Sequence, residues 1–497
     1  MKIKNLVVVI SILFFSCQQD EAVNKNDKLI APISDQVLET AVIYEANIRQ
    51  YSKEGTFKAF TKDIPVLKEL GVKVIWLMPI NPISEIKRKA TDGSFTSEIE
   101  DKEERKKYLG SYYSVSDYKA INPEFGDKDD FKALIATAHN NGIYVIVDWV
   151  PNHTGWDHPW ITAHPEWYTQ NEQGEIIDPI NPDTGKSWGW TDTADLNYDN
   201  LDMQQEMIKD LKYWVENFDI DGYRMDVAHK VPPVFFNEAI AELKKIKPIF
   251  MLAEAEQHDL FRNGFDMQYA WEGHHVLNSI ARGEATVSDF DTYMEKQNEV
   301  LEASDFTMNF VTNHDENSWS GTVKERMGEA SELLTTLVYS MPGMPLIYSG
   351  QEYDLNHRLK FFEKDSIPKT KGATWNLLTK LGDLKNKNRA FHGGKTAASY
   401  ERLSTENEDV VAFKRSKEEA EVYFIGNLSN QDQTFSINLE GNLTGGDESR
   451  VVLGTLELDQ KMDAKDGTYT WFGREFTIDG EARSASGAGF FRYTGSN

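Results

Sequence analysis

The sequence predicts an α/β protein whose largest part is a closed (β/α)8 barrel, the TIM-barrel architecture, and three observations predict it. Apolar runs suited to buried strands alternate with amphipathic helical runs along the chain. The strand candidates number eight, the count that closes such a barrel. No glycine-rich phosphate turn follows the first of them, which leaves the rival open doubly wound sheet without support.

The strand candidates are Ala41–Asn47, Val72–Leu77, Tyr144–Trp149, Gly222–Val227, Ile249–Ala253, Phe265–Tyr269, Thr307–Val311 and Leu346–Tyr348. Helices are expected over Phe57–Leu70, Lys128–Asn140, Met203–Asn217, Val234–Ile246 and Glu325–Tyr339. Ile83–Leu109 is charged and loop-like. Thr154–Asn200, rich in Trp, Pro, Asp and Asn, breaks the rhythm and reads as a small domain inserted after strand three. Beyond about Ala398 the pattern changes to short strands at Val410–Lys414, Ala420–Ile425, Thr434–Leu439, Val451–Leu456 and Phe490–Tyr493, which predicts a C-terminal antiparallel β-sandwich. The expected organisation is a leader over 1–17, a polar tether over 18–35, the barrel over 36–397 with its insertion at 154–200, and the sandwich over 398–497.

Lys2 and Lys4 precede an apolar run, Leu6–Phe15, that is too short to span a bilayer and has the layout of a signal peptide. Ser16-Cys17 follows, as in a bacterial lipoprotein signal, although Phe14 and Phe15 are bulkier than the usual residues there. Processing at that point makes Cys17 a lipidated N-terminus. The expected location is export and lipid anchoring to the outer membrane, at the cell surface or the periplasmic face. Cys17 is the only cysteine, so an intramolecular disulfide and a cysteine-based zinc site are excluded. The chain carries 53 Lys+Arg against 80 Asp+Glu, a net charge of −27. That surface repels nucleic acid and anionic lipid and tolerates a neutral substrate.

In a barrel of this kind, functional side chains gather at the C-terminal ends of the strands. Strand three ends in Asp148-Trp149-Val150-Pro151-Asn152-His153, and strand four contains Arg224 and Asp226, two apart and so on one face. An arginine beside a carboxylate is expected to hold it ionised, which suits a nucleophile. Strand five ends at Glu254, where burial favours the protonated acid, with Glu256 as local competitor. Strand seven leads to Asn313-His314-Asp315-Glu316, where one carboxylate should enter the barrel mouth. Two carboxyls on adjacent strands, about 4.8 Å apart, suit glycosidic cleavage with retention, which needs roughly 5–5.5 Å between them.

Four segments in order, DWVPNH (148–153), GYRMDVAH (222–229), AEAE (253–256) and VTNHDE (311–316), closely resemble the alpha-amylase family of glycoside hydrolases. ADLNY (194–198) and GSYYSVSDYKAINPEFG (110–126) resemble further family stretches. The resemblance implies Asp226 as nucleophile, Glu254 as acid/base and Asp315 as the third carboxylate. It implies that Arg224 orients the nucleophile, that His153 and His314 contact the sugar on the non-reducing side of the cut, and that Asp148 supports that sugar. Tyr113 is its expected aromatic platform, with Tyr112 adjacent. The family often holds a calcium ion, and Asn152 and Asp195 match two of its ligands. The usual third ligand, a histidine, is replaced by Lys230, with His229 one place earlier, and these two are expected to touch sugars beyond the cut. One or two of Trp149, Trp156, Trp160, Trp188 and Trp190 should meet substrate. No organic cofactor is implied. The implied reaction is retaining cleavage of α-1,4-glucosidic bonds in starch or maltodextrin. Transglycosylation, isomerisation or α-1,6 cleavage of the neopullulanase kind is the alternative, because the shared segments do not separate them. The implied partners are an α-glucan or malto-oligosaccharide, the anchoring membrane and glucan-uptake proteins, but no nucleic acid.

Overall fold

A computed structural model describes residues 30–405 and 407–429, together with the backbone of strands between 434 and 492. The leader, Cys17 and residues 18–29 of the tether lie outside the described residues. Eight parallel strands close a barrel in the order β1-β8-β7-β6-β5-β4-β3-β2. They are β1 (Val42–Ala46), β2 (Val72–Leu77), β3 (Tyr144–Trp149), β4 (Gly222–Met225), β5 (Phe250–Ala253), β6 (Met267–Tyr269), β7 (Phe306–Asn309) and β8 (Met344–Tyr348). Each falls on its expected segment, within a few residues at the ends.

The two-residue period of a strand divides the core in two. Val42, Tyr44, Ile75, Leu77, Val145 and Val147 face outward and pack under the helices. Ile43, Val74, Trp76, Ile146, Leu252, Met267, Met308 and Leu346 fill the barrel interior. Continuing each inward row toward the C-terminal mouth gives Glu45 after Ile43, Asp148 after Ile146, Asp226 after Arg224 and Glu254 after Leu252. The same alternation that buries the aliphatic layers therefore aims a polar layer at one rim.

The helices α1 (Lys128–Asn140), α2 (Leu201–Phe218) and α3 (Pro233–Lys244) lie where expected, and Asp127 and Asn200 cap the first two through their side chains. The helix expected over Phe57–Leu70 is broken into short pieces, Phe57–Thr61 and Ile64–Leu67 followed by a 3₁₀ turn. Pro65, which has no N–H to continue the first ladder, sits at the start of the second piece. The helix expected over Glu325–Tyr339 is also two helices, Val323–Met327 and Ser331–Ser340, divided where Gly328 takes a φ of +52°. Helices at Trp271–Ala281, Val287–Val300 and Ala373–Lys387 complete the outer layer.

In the inserted segment His153–Gly155 pairs antiparallel with Thr193–Asp195, which sets His153 opposite Asp195. At the C-terminal end, Ser399–Arg402, Val410–Lys417, Ala420–Asn427, Ala488–Arg492 and Arg450–Leu453 form one antiparallel sheet in that order, with two smaller sheets beside it in sequence. Buried Arg415 ties this sheet to the barrel layer by donating to the carbonyls of Ser340 at 2.6 Å, His392 at 2.8 Å and Ala398 at 3.1 Å.

One glycine is required by the close approach of two barrel strands. Gly222 has a φ of +152°, and a Cβ there would stand 1.8 Å from the carbonyl oxygen of Phe250. Gly222→Ala must separate β4 from β5, and a loss of roughly 3 kcal/mol or more of stability is expected, read as a lowered thermal midpoint or loss of soluble protein. An unchanged midpoint would show that the strands can part without cost.

Candidate active site

One buried guanidinium organises the rim. Arg224 Nη1 lies 3.0 Å from Asp148 Oδ1 and 2.8 Å from Asp226 Oδ1, and Nη2 lies 3.0 Å from Glu254 Oε2. Its Nε donates to the Tyr269 hydroxyl at 3.1 Å. The Nη2 contact is close but poorly aligned for a hydrogen bond. β4 and β5 pair with Met225 opposite Ala253, so Asp226 and Glu254 leave the sheet side by side. Both carboxyls thus meet one planar cation. Glu256 turns away and accepts from the Glu272 N–H at 2.8 Å, which decides between the two glutamates.

Val227 contributes through its backbone. It adopts φ 41° and ψ 43°, a left-handed conformation that a β-branched residue rarely takes. The turn directs its N–H to Glu254 Oε2 at 2.7 Å. Strain of this kind, typically 1–3 kcal/mol, is here coupled to holding the Glu254 carboxyl.

A second cation completes the set. His314 Nδ1 lies 2.5 Å from Glu45 Oε1, and Nε2 lies 2.8 Å from the Tyr113 hydroxyl and 3.3 Å from Asp315 Oδ2. Burial opposes its charge, yet the carboxylates of Asp315 and Glu45 outweigh burial and push its pKa up to about 9. Tyr113 donates to Asp148 Oδ2 at 3.2 Å, and Trp76 Nε1 donates to the same oxygen at 3.1 Å. Tyr112 is buried elsewhere, with its hydroxyl on Asn47, so Tyr113 is the tyrosine that reaches the mouth. Asp315 faces the mouth as well, while Glu316 pairs with His274 at 3.2 Å.

Asp226 holds a proton more tightly than the neighbouring arginine alone leads one to expect. Burial and the neighbouring Glu254 carboxylate raise its pKa well above the ordinary aspartate value, and Arg224 does not compensate. Arg224 divides its charge among three carboxyls and so offsets only part of that rise. Burial likewise raises Asp148 to about 6. His153, buried without a carboxylate partner, is pushed down to about 3 and is neutral at physiological pH.

These groups surround a cavity of about 260 Å³ lined by Tyr113, His153, Asp226, Glu254, His314 and Asp315. One wall adds Trp190, the other Trp319, Phe361 and Phe362. Of the five tryptophans singled out from sequence, Trp190 lines the cavity and Trp188 stacks on it at 5.9 Å. Trp149 and Trp160 belong to the core, and Trp156 lies under the Lys87 ammonium. Trp319 is carried on a π-helical turn, Glu316–Ser320, a rare form that is frequent at functional sites.

A model of the alpha-amylase catalytic domain matches residues 24–275 and 236–388. The chain belongs to the alpha-amylase family. It is 24% identical over 473 residues to Alpha-amylase 3 of Dictyoglomus thermophilum, across 80% of this chain and 87% of that protein. It is 26% identical over 440 residues to a cyclomaltodextrin glucanotransferase of a Bacillus species, across 80% of this chain but 56% of the longer relative. Among solved structures, an alpha-amylase from Lactobacillus plantarum superposes with a TM-score of 0.74 at 26% identity, covering 93% of this chain and all of that one. As an alpha-amylase family member the protein is a glycosidase of the alpha-amylase type.

The calcium site suggested by Asn152 and Asp195 does not fit the residues present. The third position carries the Lys230 ammonium, which sits 3.7 Å from the Trp188 ring centroid and 4.2 Å from that of Trp190. Its charge acts on Asp195. Asn152 directs its amide nitrogen to His153 Nδ1 at 3.1 Å. A lysine stands where the third ligand would be, and no group of three or more His, Cys, Asp or Glu suited to a metal occurs among the described residues. Lys230 is therefore packed against the inserted segment. His229 is exposed on the turn after β4, on the Glu254 side.

Sequence reasoning missed Glu45, Trp76, Tyr269, Val227 and Trp319. A lone carboxylate in the apolar run AVIYEAN was a signal for Glu45; no signal marked Trp319. A histidine whose pKa is raised on folding contributes stability that is fully present below its unfolded value near 6.5 and lost as pH rises through about 9. The gap in thermal midpoint between the wild type and His314→Asn should therefore narrow between pH 7 and pH 10. A gap that stays constant would show that His314 acts without its charge.

Proposed function

We propose that this protein opens α-glucosidic bonds of starch-derived glucans by double displacement, with Asp226 as nucleophile and Glu254 as acid/base. The observation that carries this reading is the convergence of both carboxyls, from neighbouring strands, on one guanidinium beside Asp315 in one cavity. In the reactive state Glu254 carries the proton and Asp226 is the anion held by Arg224. Glu254 gives that proton to the bridging oxygen as an Asp226 oxygen bonds to the anomeric carbon and the glycosidic C–O bond breaks. The Glu254 carboxylate then takes a proton from an incoming hydroxyl, whose oxygen displaces Asp226 and restores the α configuration. His314 and Asp315 would hold hydroxyls of the same sugar, and neutral His153 would donate or accept as the tautomer requires. Asp148, bonded to Tyr113 and Trp76, would keep the platform in place.

The incoming hydroxyl belongs to water or to a second sugar. The similarity to a protein named a glucanotransferase, as well as to one named an alpha-amylase, favours the broader reading, with transfer beside hydrolysis, over α-1,4 hydrolysis alone. The proposal also keeps export and acylation at Cys17, which would place the enzyme on a membrane facing glucan and the proteins that take it up. Labelled palmitate should appear on the exported wild type and be absent from Cys17→Ser; label on both would remove the anchor.

Asp226→Asn should lower kcat on maltodextrin by about 10³–10⁴-fold or more, and Glu254→Gln by about 10²–10⁴-fold, with circular dichroism unchanged for both. Products of the wild type, read by NMR as they form, should be α-anomers. Initial β-anomers would exclude double displacement.

A further inference from the structure

Lys89 and Asp192 meet at the cavity wall, and nothing in the reaction above uses them. Lys89 comes from the loop that follows β2, and Asp192 from the inserted segment after β3. Lys89 Nζ lies 3.1 Å from Asp192 Oδ1, and the two side chains are only 13% and 7% exposed. Both nonetheless line the cavity that holds the catalytic carboxyls. Trp190, from the same inserted segment as Asp192, lines the same cavity, and its ring lies 5.8 Å from that of His153.

The pair is fixed from behind. Lys89 also donates to the Gly189 carbonyl, and Ser114 Oγ donates to the Asp192 carbonyl at 2.7 Å. The Glu85 N–H donates to Asp157 at 2.8 Å, a second tie between the same two loops. An ammonium has three donors; two are taken by Asp192 and Gly189, which leaves one for a ligand. The cavity, at about 260 Å³, is smaller than the roughly 300–1,000 Å³ of pockets that enclose drug-sized ligands. A groove that lets a polymer pass through needs an open end on the non-reducing side. The loop after β2 and the inserted segment, which both border this cavity, are bridged by the buried Lys89–Asp192 pair.

We propose that Lys89 and Asp192 form an end stop that hydrogen-bonds the hydroxyls of a non-reducing terminal glucosyl unit, so that the enzyme works from chain ends and not within chains. The proposal rests on the glycosidase reading given above and specifies its substrate. The pair would be a specificity determinant: it would touch the terminal sugar and take no part in proton transfer.

The test uses maltopentaose and maltopentaose carrying a 4,6-O-ethylidene cap on its non-reducing end, with consumption followed by chromatography. The wild type should consume the capped sugar at least 100-fold more slowly than the free one. Lys89→Met and Asp192→Asn should each raise the capped-to-free rate ratio by 10-fold or more. Equal wild-type rates on the two sugars would overturn the end stop and leave the glycosidase reading standing. Discrimination that persists in both variants would overturn the role of this ion pair. Failure to consume either sugar would overturn the glycosidase reading itself, and the end stop with it.

Discussion

The rim of this barrel depends on the buried Arg224 guanidinium. Three carboxyls, Asp148, Asp226 and Glu254, stand within 3.0 Å of its terminal nitrogens. His314 serves Glu45 and Asp315 in the same way. Five carboxyls thus share two cations in direct contact with them. Burial raises the proton affinity of Asp226, Asp148, Glu45 and Asp315, and the excess of neighbouring carboxylates over cations adds to it. A site that must hold one proton at a chosen atom and a negative charge at another needs such an excess of acid over base. Full neutralisation by paired cations would leave nothing to transfer. Removing Arg224 would leave three carboxyls in contact with no cation at low dielectric, a far larger penalty than the loss of one surface ion pair.

The barrel makes that arrangement affordable in structural terms. Parallel pairing puts consecutive strand ends one strand spacing apart, and alternation sends every second side chain inward. Apolar layers at Ile43, Val74, Ile146 and Leu252 close the floor, so the carboxyls above them meet solvent only through the mouth. The chemistry is set by strand ends, and the shape of the mouth by loops of separate origin. Trp319 on its π-helical turn, Phe361 and Phe362 form one wall, and Trp190 with the Lys89–Asp192 bridge forms the other. Lys230, packed on Trp188 and Trp190, ties the inserted segment to the turn after β4.

Much of this was legible before any coordinates. All eight barrel strands were visible as apolar runs because a strand buried on both faces leaves a continuous hydrophobic signature. Asp226, Glu254 and Asp315 were visible because polar residues at the ends of such runs are rare, and because the segments around them resemble a known family. Helix boundaries were less legible: Pro65 and Gly328 each split a helix whose periodicity runs on past the break.

What the sequence determined by itself was therefore the local and periodic part: strands, most helices, the polar strand ends and the family. Which neighbour each polar group met was decided only by the tertiary structure. Tyr113 and not Tyr112, Glu254 and not Glu256, were chosen by the direction of side chains one or two positions apart. The raised proton affinity of Asp226 was set by its burial and by the carboxyls packed beside it. Lys89 and Asp192 are about a hundred residues apart, in loops with no shared pattern, and only closure of the barrel brings them together. Sequence patterns report what a residue's own segment requires; contact and charge balance are properties of several segments at once.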